Sequence, residues 1–475
     1  MIFKPEQLRF ASIPGFSVRA DFEGGALSSD VGPLLLNGID RQIGLTKRLA
    51  AALTDRRHAS YVTHSQHDIL TQRVYQIASG YEDGNDCTAL RHDPMFRLGL
   101  GRAPFNDEAA LASASTISRF EHAARRRDIF RLSSALVDQF IFGYATAPAV
   151  LVLDIDHTED QVHGQQPFAF YNHHYGSTCY LPLVIFEGLS GALVAAVVRS
   201  SMRPTGAENT MILKRVLERT RRHFPDTHIL VRGDGHFSTP ELMDCIDAMA
   251  NTDFVFDMAG NKVLDRLGEP AMARARHLHA LRRAHGESTP VQLFDEFDYA
   301  AGSWGRVRRI VQKAEVMTQG DNARYVVTSL TAPDPQRVYR ELYCARGQAE
   351  NFIKHLKNDL ASDRTSCTTF LANCMRLQEH AAAHVLHQQL RKEALRHTPL
   401  AQAQPGTIIV MLFKIAALVK QYKGRVIVHL PSSCTCRGPS PSACSSAQHD
   451  ARQIPPEHPT SGQSRTRHPP ILITA

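Results

Sequence analysis

Four polar residues recur along one short stretch of the chain, at Tyr343, Arg346, Glu350 and Lys357. On a helix, which turns by about 100° per residue, these side chains fall within a stripe about 60° wide. Apolar residues form a neighbouring stripe that could face a core: Leu342, Ala349, Ile353, Leu356 and Leu360. A carboxylate flanked by two cations suits a site that binds a metal ion together with a phosphate. An exposed helix with ordinary ion pairs between turns has the same spacing, so both interpretations remain open here.

Further carboxylates occur where buried strands are predicted to end. Asp154 and Asp156 close one apolar run, and Asp234 closes another. The ends of neighbouring strands in an α/β sheet meet at one edge, so these aspartates could converge with Glu350. Carboxylates held close together need a cation, and Mg²⁺ or Mn²⁺ accepts oxygen ligands of this kind. Two such ions about 4 Å apart would activate water and stabilise the leaving oxygen of a phosphodiester. Taken singly, each aspartate could instead be a turn residue or a helix cap.

The segment from 146 to 257 alternates between strand and helix patterns. Its apolar runs, rich in β-branched residues, are typical of strands that are buried on both faces. The predicted strands are Ala149–Asp156, Cys179–Phe186, Gly191–Arg199, His228–Asp234 and Asp253–Asp257, and the predicted helices are Thr205–His223 and Thr239–Ala250. This alternation predicts an α/β fold with a mixed sheet.

Four further segments complete the predicted organisation. Residues 1–145 have helical periodicity and form a mostly helical N-terminal domain. Residues 258–332 contain a basic helix and three strand-like runs, which we interpret as a β-rich insertion. Residues 333–430 return to long helices, the first carrying the polar stripe and the second spanning Thr369–His397. Residues 431–475, rich in Ser, Pro and Thr, are predicted to be a disordered or degenerate tail.

Composition restricts the class of protein. The 475 residues carry a formal charge of +7 and are 43% hydrophobic, which is ordinary for a globular protein and permits a polyanionic partner. The nine cysteines form no CxxC pair, so we expect reduced thiols and no structural zinc. The sequence has no pattern of a signal peptide, a membrane span or a GxxxxGK[ST] phosphate loop. We therefore expect a cytoplasmic protein that uses no nucleotide cofactor.

The chain resembles the DDE transposases of bacterial insertion sequences, whose signature Tyr-x2-Arg-x3-Glu-x6-Lys is matched by the four residues of the stripe. The resemblance covers roughly residues 10–430 and includes further motifs at Asp21–Asp30, Gly80–Asp86, Arg91–Pro94, Leu153–Thr158, Val231–Phe237 and Asp363–Cys367. One departure is His236, which stands where such proteins more usually carry a small residue. The resemblance implies a ribonuclease-H-like core with a β-strand insertion between the second aspartate and the glutamate.

The resemblance also implies which residues bind metal. Asp156, Asp234 and Glu350 would be the catalytic residues and would hold two Mg²⁺ or Mn²⁺ ions. Asp154 remains the alternative to Asp156, because residues two apart on a strand point to the same side and periodicity does not separate them. The Asp-x-Thr context of the motif favours Asp156.

Other residues would contact DNA if the resemblance holds. Tyr343, Arg346 and Lys357 would bind phosphates at the transposon end, since Arg forks onto phosphate oxygens and Lys supplies a point charge. Trp304, in the insertion, would stack on a flipped base. Packing in the insertion's own small core is the alternative role for this tryptophan.

The resulting hypothesis is a DNA transposase that nicks at terminal inverted repeats and joins the freed 3′-hydroxyl to target DNA. It would act on double-stranded DNA as a dimer that holds both ends, in the nucleoid. One alternative is a catalytically inactive copy that still binds the repeats, which the unusual tail after Pro431 suggests. Another is a structure-specific nuclease with the same core, which would cut without the repeats and join nothing. The repeat sequence, the target site and the presence of a hairpin intermediate are left open.

Overall fold

The N-terminal part of the protein is helical. The computed structural model describes residues 8–9, 11, 14–106, 110–202 and 204–433, so most of the predicted tail 431–475 lies outside the described residues. The elements of the N-terminal part are β1 (Leu8–Arg9), β2 (Arg19–Ala20), β3 (Leu27–Ser28), α1 (Gly32–Ile43), α2 (Leu45–Ala52), a 3₁₀ turn (Ala59–Tyr61), α3 (Gln66–Ala78), α4 (Asp86–Leu90), α5 (Pro94–Gly99), α6 (Ala114–His122) and α7 (Arg126–Phe142). Local sequence sets several of these starts: Ser65 and Asp68 form a capping box at α3, and Asp93 caps α5.

A mixed sheet forms the centre of the protein. The elements that build and flank it are β4 (Val150–His157), β5 (Asp160–Gln161), β6 (Phe170–Asn172), β7 (Ser177–Tyr180), β8 (Leu183–Glu187), β9 (Leu193–Val197), α8 (Gly206–His223), β10 (His228–Gly233), α9 (Pro240–Asp247), β11 (Thr252–Met258), α10 (Lys262–Ala284), β12 (Val291–Tyr299), β13 (Arg308–Met317) and β14 (Gly320–Thr328). The strand order is β12-β13-β14-β11-β10-β4-β8-β9. β4, β10 and β11 are parallel, and the remaining neighbours are antiparallel. The predicted α/β class with a mixed sheet is confirmed.

The sequence explains the central strands well. β4 and β10 are buried along nearly their whole length, as expected of apolar runs covered on both faces. Helix α8 begins where the Thr205 side chain accepts a hydrogen bond from the backbone N–H of Glu208. The predicted strand Cys179–Phe186 is divided into β7 and β8 at Pro182, because proline has no N–H to donate to a strand ladder.

The strands predicted as an insertion continue the central sheet. β14 pairs antiparallel with β11, with Val327 opposite Phe256, and β13 and β12 follow outward. Helix α10 packs on these outer strands through Ala271 and Ala275. The edge of β11 is thereby covered, which leaves its backbone groups paired. Strand character was predictable from residues 258–332, but the strand to which they would pair was not.

The stretch that carries the four polar residues is a helix of changing pitch. It comprises α11 (Pro335–Arg337), a π-helical turn (Val338–Tyr343), a 3₁₀ turn (Cys344–Gly347), α12 (Gln348–Lys354) and a second π-helical turn (His355–Asp359). We call Pro335–Asp359 the signature segment. Gly347 lies where the 3₁₀ turn gives way to α12. Because the rotation per residue differs between these turns, a uniform 100° step does not hold along the segment.

The C-terminal part joins the helices to the sheet. It contains α13 (Phe370–Glu393), α14 (Pro405–Ile408), a π-helical turn (Ile409–Phe413), β15 (Ala417–Tyr422) and β16 (Arg425–His429). Leu386 of α13 belongs to one core cluster with Leu70 of α3 and Phe186 of β8. Three small sheets lie outside the central one: β1-β2, β5-β7-β6 and β16-β15-β3. None of the helices in the described part of the chain combines the length and hydrophobicity needed to cross a membrane.

Three histidines of α13 are buried in this core, His380, His384 and His387. Nδ1 of His380 lies 2.7 Å from the carbonyl oxygen of Leu360, and Nε2 of His387 lies 2.8 Å from that of Ala78. Within the described residues, neither ring nitrogen of His384 has a hydrogen-bond partner. A charged imidazole is therefore unfavourable at His384.

We expect acid to destabilise the fold through these histidines. Burial lowers the pKa of His384 from its ordinary 6.5 to about 3. Below pH 6.5 the unfolded chain therefore takes up a proton that the folded chain does not, and stability falls as the pH falls. Replacing His384 with Met should flatten the dependence of the unfolding free energy on pH by about 1.4 kcal/mol per pH unit between about pH 6 and pH 4.

Urea denaturation at a series of pH values measures this slope. The matched control is His397→Met, a change at an exposed histidine just beyond the same helix. The control should keep the wild-type slope. A His384→Met protein with the wild-type slope would contradict the prediction.

Candidate active site

Two aspartates come together at one end of the central sheet. Asp156 lies near the end of β4, and Asp234 directly follows the last residue of β10. The two strands are parallel neighbours with Gly233 beside Ile155, which brings Asp234 next to Asp156. The structure therefore brings together two of the residues that the sequence singled out.

Asp156 is buried and carries an unusual charge environment. Its Oδ2 accepts a hydrogen bond from the guanidinium of Arg346 at 3.1 Å, and its Oδ1 accepts one from the backbone N–H of His157 at 2.8 Å. Burial and the neighbouring charge of Asp234 nevertheless raise the pKa of Asp156 from 3.8 to about 6. One guanidinium does not fully balance the carboxylates at this position.

Asp234 is more exposed and better solvated by hydrogen bonds. Its Oδ1 accepts a hydrogen bond from the backbone N–H of His236 at 2.9 Å, and the His236 ring lies 3.0 Å from its Oδ2. Burial opposes ionisation, but these contacts with His236 and the nearby His157 lower the pKa of Asp234 on balance. Asp234 is thus the more acidic carboxyl of the pair.

Glu350 reaches the same place from the signature segment. Its Oε1 lies 3.9 Å from the guanidinium of Arg346, and its side chain is 57% exposed. Burial lowers the pKa of Arg346, yet Asp156, Tyr343, Asp234 and Glu350 raise it on balance. Arg346 is therefore the charge around which the three predicted carboxylates gather.

Asp154, the alternative to Asp156 as a metal ligand, has different surroundings. Its side chain is fully buried, and both carboxylate oxygens accept hydrogen bonds from Arg232, at 2.6 and 2.8 Å. Arg232 also donates to the carbonyl oxygen of Leu342 at 2.8 Å. Burial raises the pKa of Asp154, although Arg232 opposes this. The pair ties the sheet to the signature segment.

Tyr343 and Lys357 lie on opposite sides of Arg346 in the chain and have different surroundings. Burial and the neighbouring charge of Asp257 raise the pKa of Tyr343. The Tyr343 ring lies 5.9 Å from the Arg346 guanidinium. The Lys357 ammonium instead donates to the carbonyl oxygen of Glu159. Tyr343 thus belongs to the site with Arg346, whereas Lys357 is engaged elsewhere.

Trp304 packs within the outer part of the sheet. Its ring lies 5.4 Å from that of Tyr299 at a steep angle, and the Arg308 guanidinium lies 6.0 Å from it. It is partly buried against the same core cluster as Ile310. These contacts favour packing over base stacking in the structure described here.

Two histidines at the site were not predicted from the sequence. The ring of His157 lies 4.8 Å from that of His236, and its Nδ1 accepts a hydrogen bond from Arg199 at 3.2 Å. Burial and Arg199 lower the pKa of His157 to about 4. The available signal was their position: each follows a strand-end aspartate by one or two residues, at Asp156 and Asp234.

The donors at the site fit a divalent cation. Asp156, Asp234 and Glu350 supply carboxylate oxygens. Burial and the charge of Asp234 raise the pKa of Asp156, and a positive ion would offset both effects. His157, Asp234 and His236 place potential ligand atoms within 4.8 Å of one another. Among the described residues, the carboxylates of Asp156, Asp234 and Glu350 lie farther apart than the ligand atoms of this trio. The reason is that the Arg346 guanidinium lies between Asp156 and Glu350.

Comparison with known proteins adds a family to this geometry. A family model described as the transposase DDE domain, group 1, matches residues 10–443. The solved structure of a piggyBac transposase synaptic complex with hairpin DNA is similar at a TM-score of 0.38, with 13% identity over 80% of each chain. No curated protein matches the chain. The family match spans every residue of the site described above.

We expect the Asp154–Arg232 pair to act on stability and not on metal binding. Replacing Arg232 with Met would leave a buried carboxylate without its counter-charge and should lower the free energy of unfolding by about 3–5 kcal/mol. The double variant Arg232→Met, Asp154→Leu should recover most of that loss, because neither charge is then buried. Urea denaturation measures both.

A surface pair provides the matched control. Lys214 and Glu218 are each 54% exposed, so Lys214→Met should change stability by less than about 0.5 kcal/mol. A double variant that stays as unstable as Arg232→Met alone would contradict the proposed pairing.

Proposed function

We propose a specific reaction for this chain, which belongs to the transposase DDE domain group 1 family and is a transposase. It cuts DNA at the terminal inverted repeats of a bacterial insertion sequence and joins the ends to target DNA. The observation that carries this proposal is the gathering of Asp156, Asp234 and Glu350 around Arg346. Such a site, with carboxylates and a guanidinium, suits phosphoryl transfer.

In this proposal Asp156, Asp234 and Glu350 hold two divalent ions, Mg²⁺ or Mn²⁺. Ions bound there would supply activation of water and neutralisation of charge on the phosphodiester. Two of the three residues lie on parallel strands of the sheet and one on the signature segment, so the rigid sheet fixes the spacing of the aspartates. The Glu350 side chain is exposed, which is consistent with a ligand that adopts its final position only when the ions and DNA bind.

Arg346, Tyr343 and Lys357 are the proposed contacts to DNA phosphates. Arg346 balances Asp156 and Glu350 in the described structure. Once bound cations neutralise these carboxylates, the planar guanidinium of Arg346 would be free to bind phosphate oxygens. Tyr343 lies against Arg346 and would hold its orientation. A stacking role for Trp304 would require it to leave its contacts with Tyr299 and Arg308.

The setting of the reaction also belongs to the proposal. The substrate would be double-stranded DNA at the two transposon ends, held by a dimer in the nucleoid of the cytoplasm. The net charge of +7 favours such a polyanionic partner. No nucleotide cofactor is required in this scheme, because the phosphodiester itself supplies the transferred group.

Cleavage of a labelled duplex that contains the ends, with Mg²⁺ present, tests the proposed roles. Glu350→Gln and Asp234→Asn should each slow strand cleavage by at least about a hundredfold, because several kcal/mol of charge stabilisation are lost. Glu341→Gln is the matched control, since Glu341 lies in the same segment and is 68% exposed. It should cleave at the wild-type rate.

Three outcomes would overturn the proposal. Full activity in Glu350→Gln or Asp234→Asn would remove these carboxylates from catalysis. Binding to the ends without cleavage, even with Mn²⁺, would identify an inactive copy. Cutting that needs no inverted repeats and joins no strands would identify a nuclease.

A further inference from the structure

A groove of about 1010 Å³ lies between helices α7 and α8 and strand β9. The loop between β5 and β6 and the first turn of α13 complete its walls. Part of its lining is buried and apolar, with Val137 of α7 and Ile212 and Val216 of α8. The more exposed part of the lining consists largely of aromatic rings and guanidinium groups, which together can bind a ligand that is both flat and negatively charged.

Two phenylalanine side chains of the groove are open to solvent. Phe130 of α7 is 52% exposed, and Phe168, in the loop between β5 and β6, is 53% exposed. The φ angle of Phe168 is +67°, a conformation in which a bulky side chain is strained and which glycine adopts freely. Its ring meets that of Phe370 edge to face at 5.2 Å. Strained backbone of this kind clusters at functional sites, so the exposed ring of Phe168 points to a ligand.

The groove is also basic, with five arginines and two glutamates in its lining. Arg219 is paired with Asp138. Among the residues that the structure describes, Arg215 and Arg222 form no ion pair. The Arg215 guanidinium lies instead over the ring of Phe130, 5.1 Å from its centroid. A polyanion in the groove would supply the counter-charge that these arginines lack.

The groove begins beside the active site. Arg199 belongs to its lining, is buried, and donates a hydrogen bond to Nδ1 of His157 at 3.2 Å. The strand register agrees, because Val197 of β9 is paired with Leu183 of β8, which lies opposite His157 of β4. The groove therefore starts at the same end of the sheet as Asp156.

We propose that this groove binds an unpaired DNA strand that leaves the active site, with its bases stacked on Phe130 and Phe168. Arg215 and Arg222 bind its phosphates. Proteins commonly hold single strands by combining aromatic side chains, on which bases stack, with a basic groove that follows the backbone. Bases inside a duplex are covered by their neighbours, so the two exposed rings favour an unpaired strand. The inference rests on the proposed function only in taking the Asp156 end of the sheet as the place where DNA is cut.

Binding of a fluorescent oligothymidylate of about 12 nucleotides, measured by anisotropy in EDTA, tests the stacking. Phe130→Ala and Phe168→Gly should each weaken binding by about fivefold to a hundredfold, as expected for the loss of one stacked base. Phe142→Ala is the matched control, because Phe142 is 57% exposed at the end of α7 and does not line the groove. It should bind as wild type does. Wild-type affinity in either groove variant would overturn the inference.

Two further measurements separate stacking from charge. An oligonucleotide of the same length without bases keeps its phosphates, so Phe130→Ala should bind it about as tightly as wild type does. Arg215→Met should reduce the slope of log affinity for oligothymidylate against log salt by about 0.7, which is the share of one phosphate contact. Lys214→Met, at the neighbouring exposed lysine, should keep the wild-type slope. An unchanged slope in Arg215→Met, or equal weakening of the baseless strand by Phe130→Ala, would overturn the inference.

Folding and assembly are checked on the same variants. Glycine adopts the backbone conformation of Phe168 without strain, so Phe168→Gly should melt near the wild-type temperature. A lower melting temperature with normal oligonucleotide binding would identify a packing residue and overturn the inference. Phe130→Ala should keep the wild-type sedimentation coefficient. A change in oligomeric state would identify the groove as an interface between copies of the chain and would also overturn it.

The two proposals fail separately. If the wild-type protein cuts no end-containing duplex with Mg²⁺, the proposed function falls, and oligonucleotide binding still decides the role of the groove. If the duplex is cut while oligonucleotide binding is the same in wild type, Phe130→Ala and Phe168→Gly, only the inference about the groove falls.

Discussion

The charge balance at Arg346 governs the arrangement at the end of the central sheet. Its guanidinium lies 3.1 Å from Asp156 and 3.9 Å from Glu350, and it draws the signature segment onto the parallel strands β4 and β10. Without it, two carboxylates at strand ends and a third on a helix would repel one another across a partly buried space. In the proposed function, a bound metal ion would take over this charge balance and free the guanidinium to bind phosphate.

The parts of this site that depend on short-range pattern could be predicted from the sequence. The apolar runs that end at Asp156 and Asp234 predicted buried strands, and both residues lie at the same edge of the sheet. The spacing of Arg346 and Glu350 predicted that they lie on the same side of a helix. In the structure their charged groups are 3.9 Å apart across one helical turn. Periodicity determines which side chains project from the same face of a strand or helix, so these relations follow from local spacing.

Other features depend on which distant segments meet, and local spacing contains little information about that. Asp154 and Asp156 look equivalent by strand periodicity, yet Arg232 on the neighbouring strand takes both oxygens of Asp154. The stripe on the signature segment assumed one helical pitch, whereas π and 3₁₀ turns alternate there and Lys357 faces Glu159. Pairing of residues 320–328 with β11 was likewise invisible in the pattern of either strand.

The Asp154–Arg232 pair constrains how this sequence can drift. Either charge replaced alone leaves its partner buried and unbalanced next to the Leu342 carbonyl, so single-step substitutions at both positions pass through an unstable protein. An apolar pair of similar volume would be tolerated but requires two changes at once. These two positions would therefore change together or not at all. If these positions are invariant among related sequences, the buried ion pair is sufficient to explain it, and a role in the chemistry is not needed.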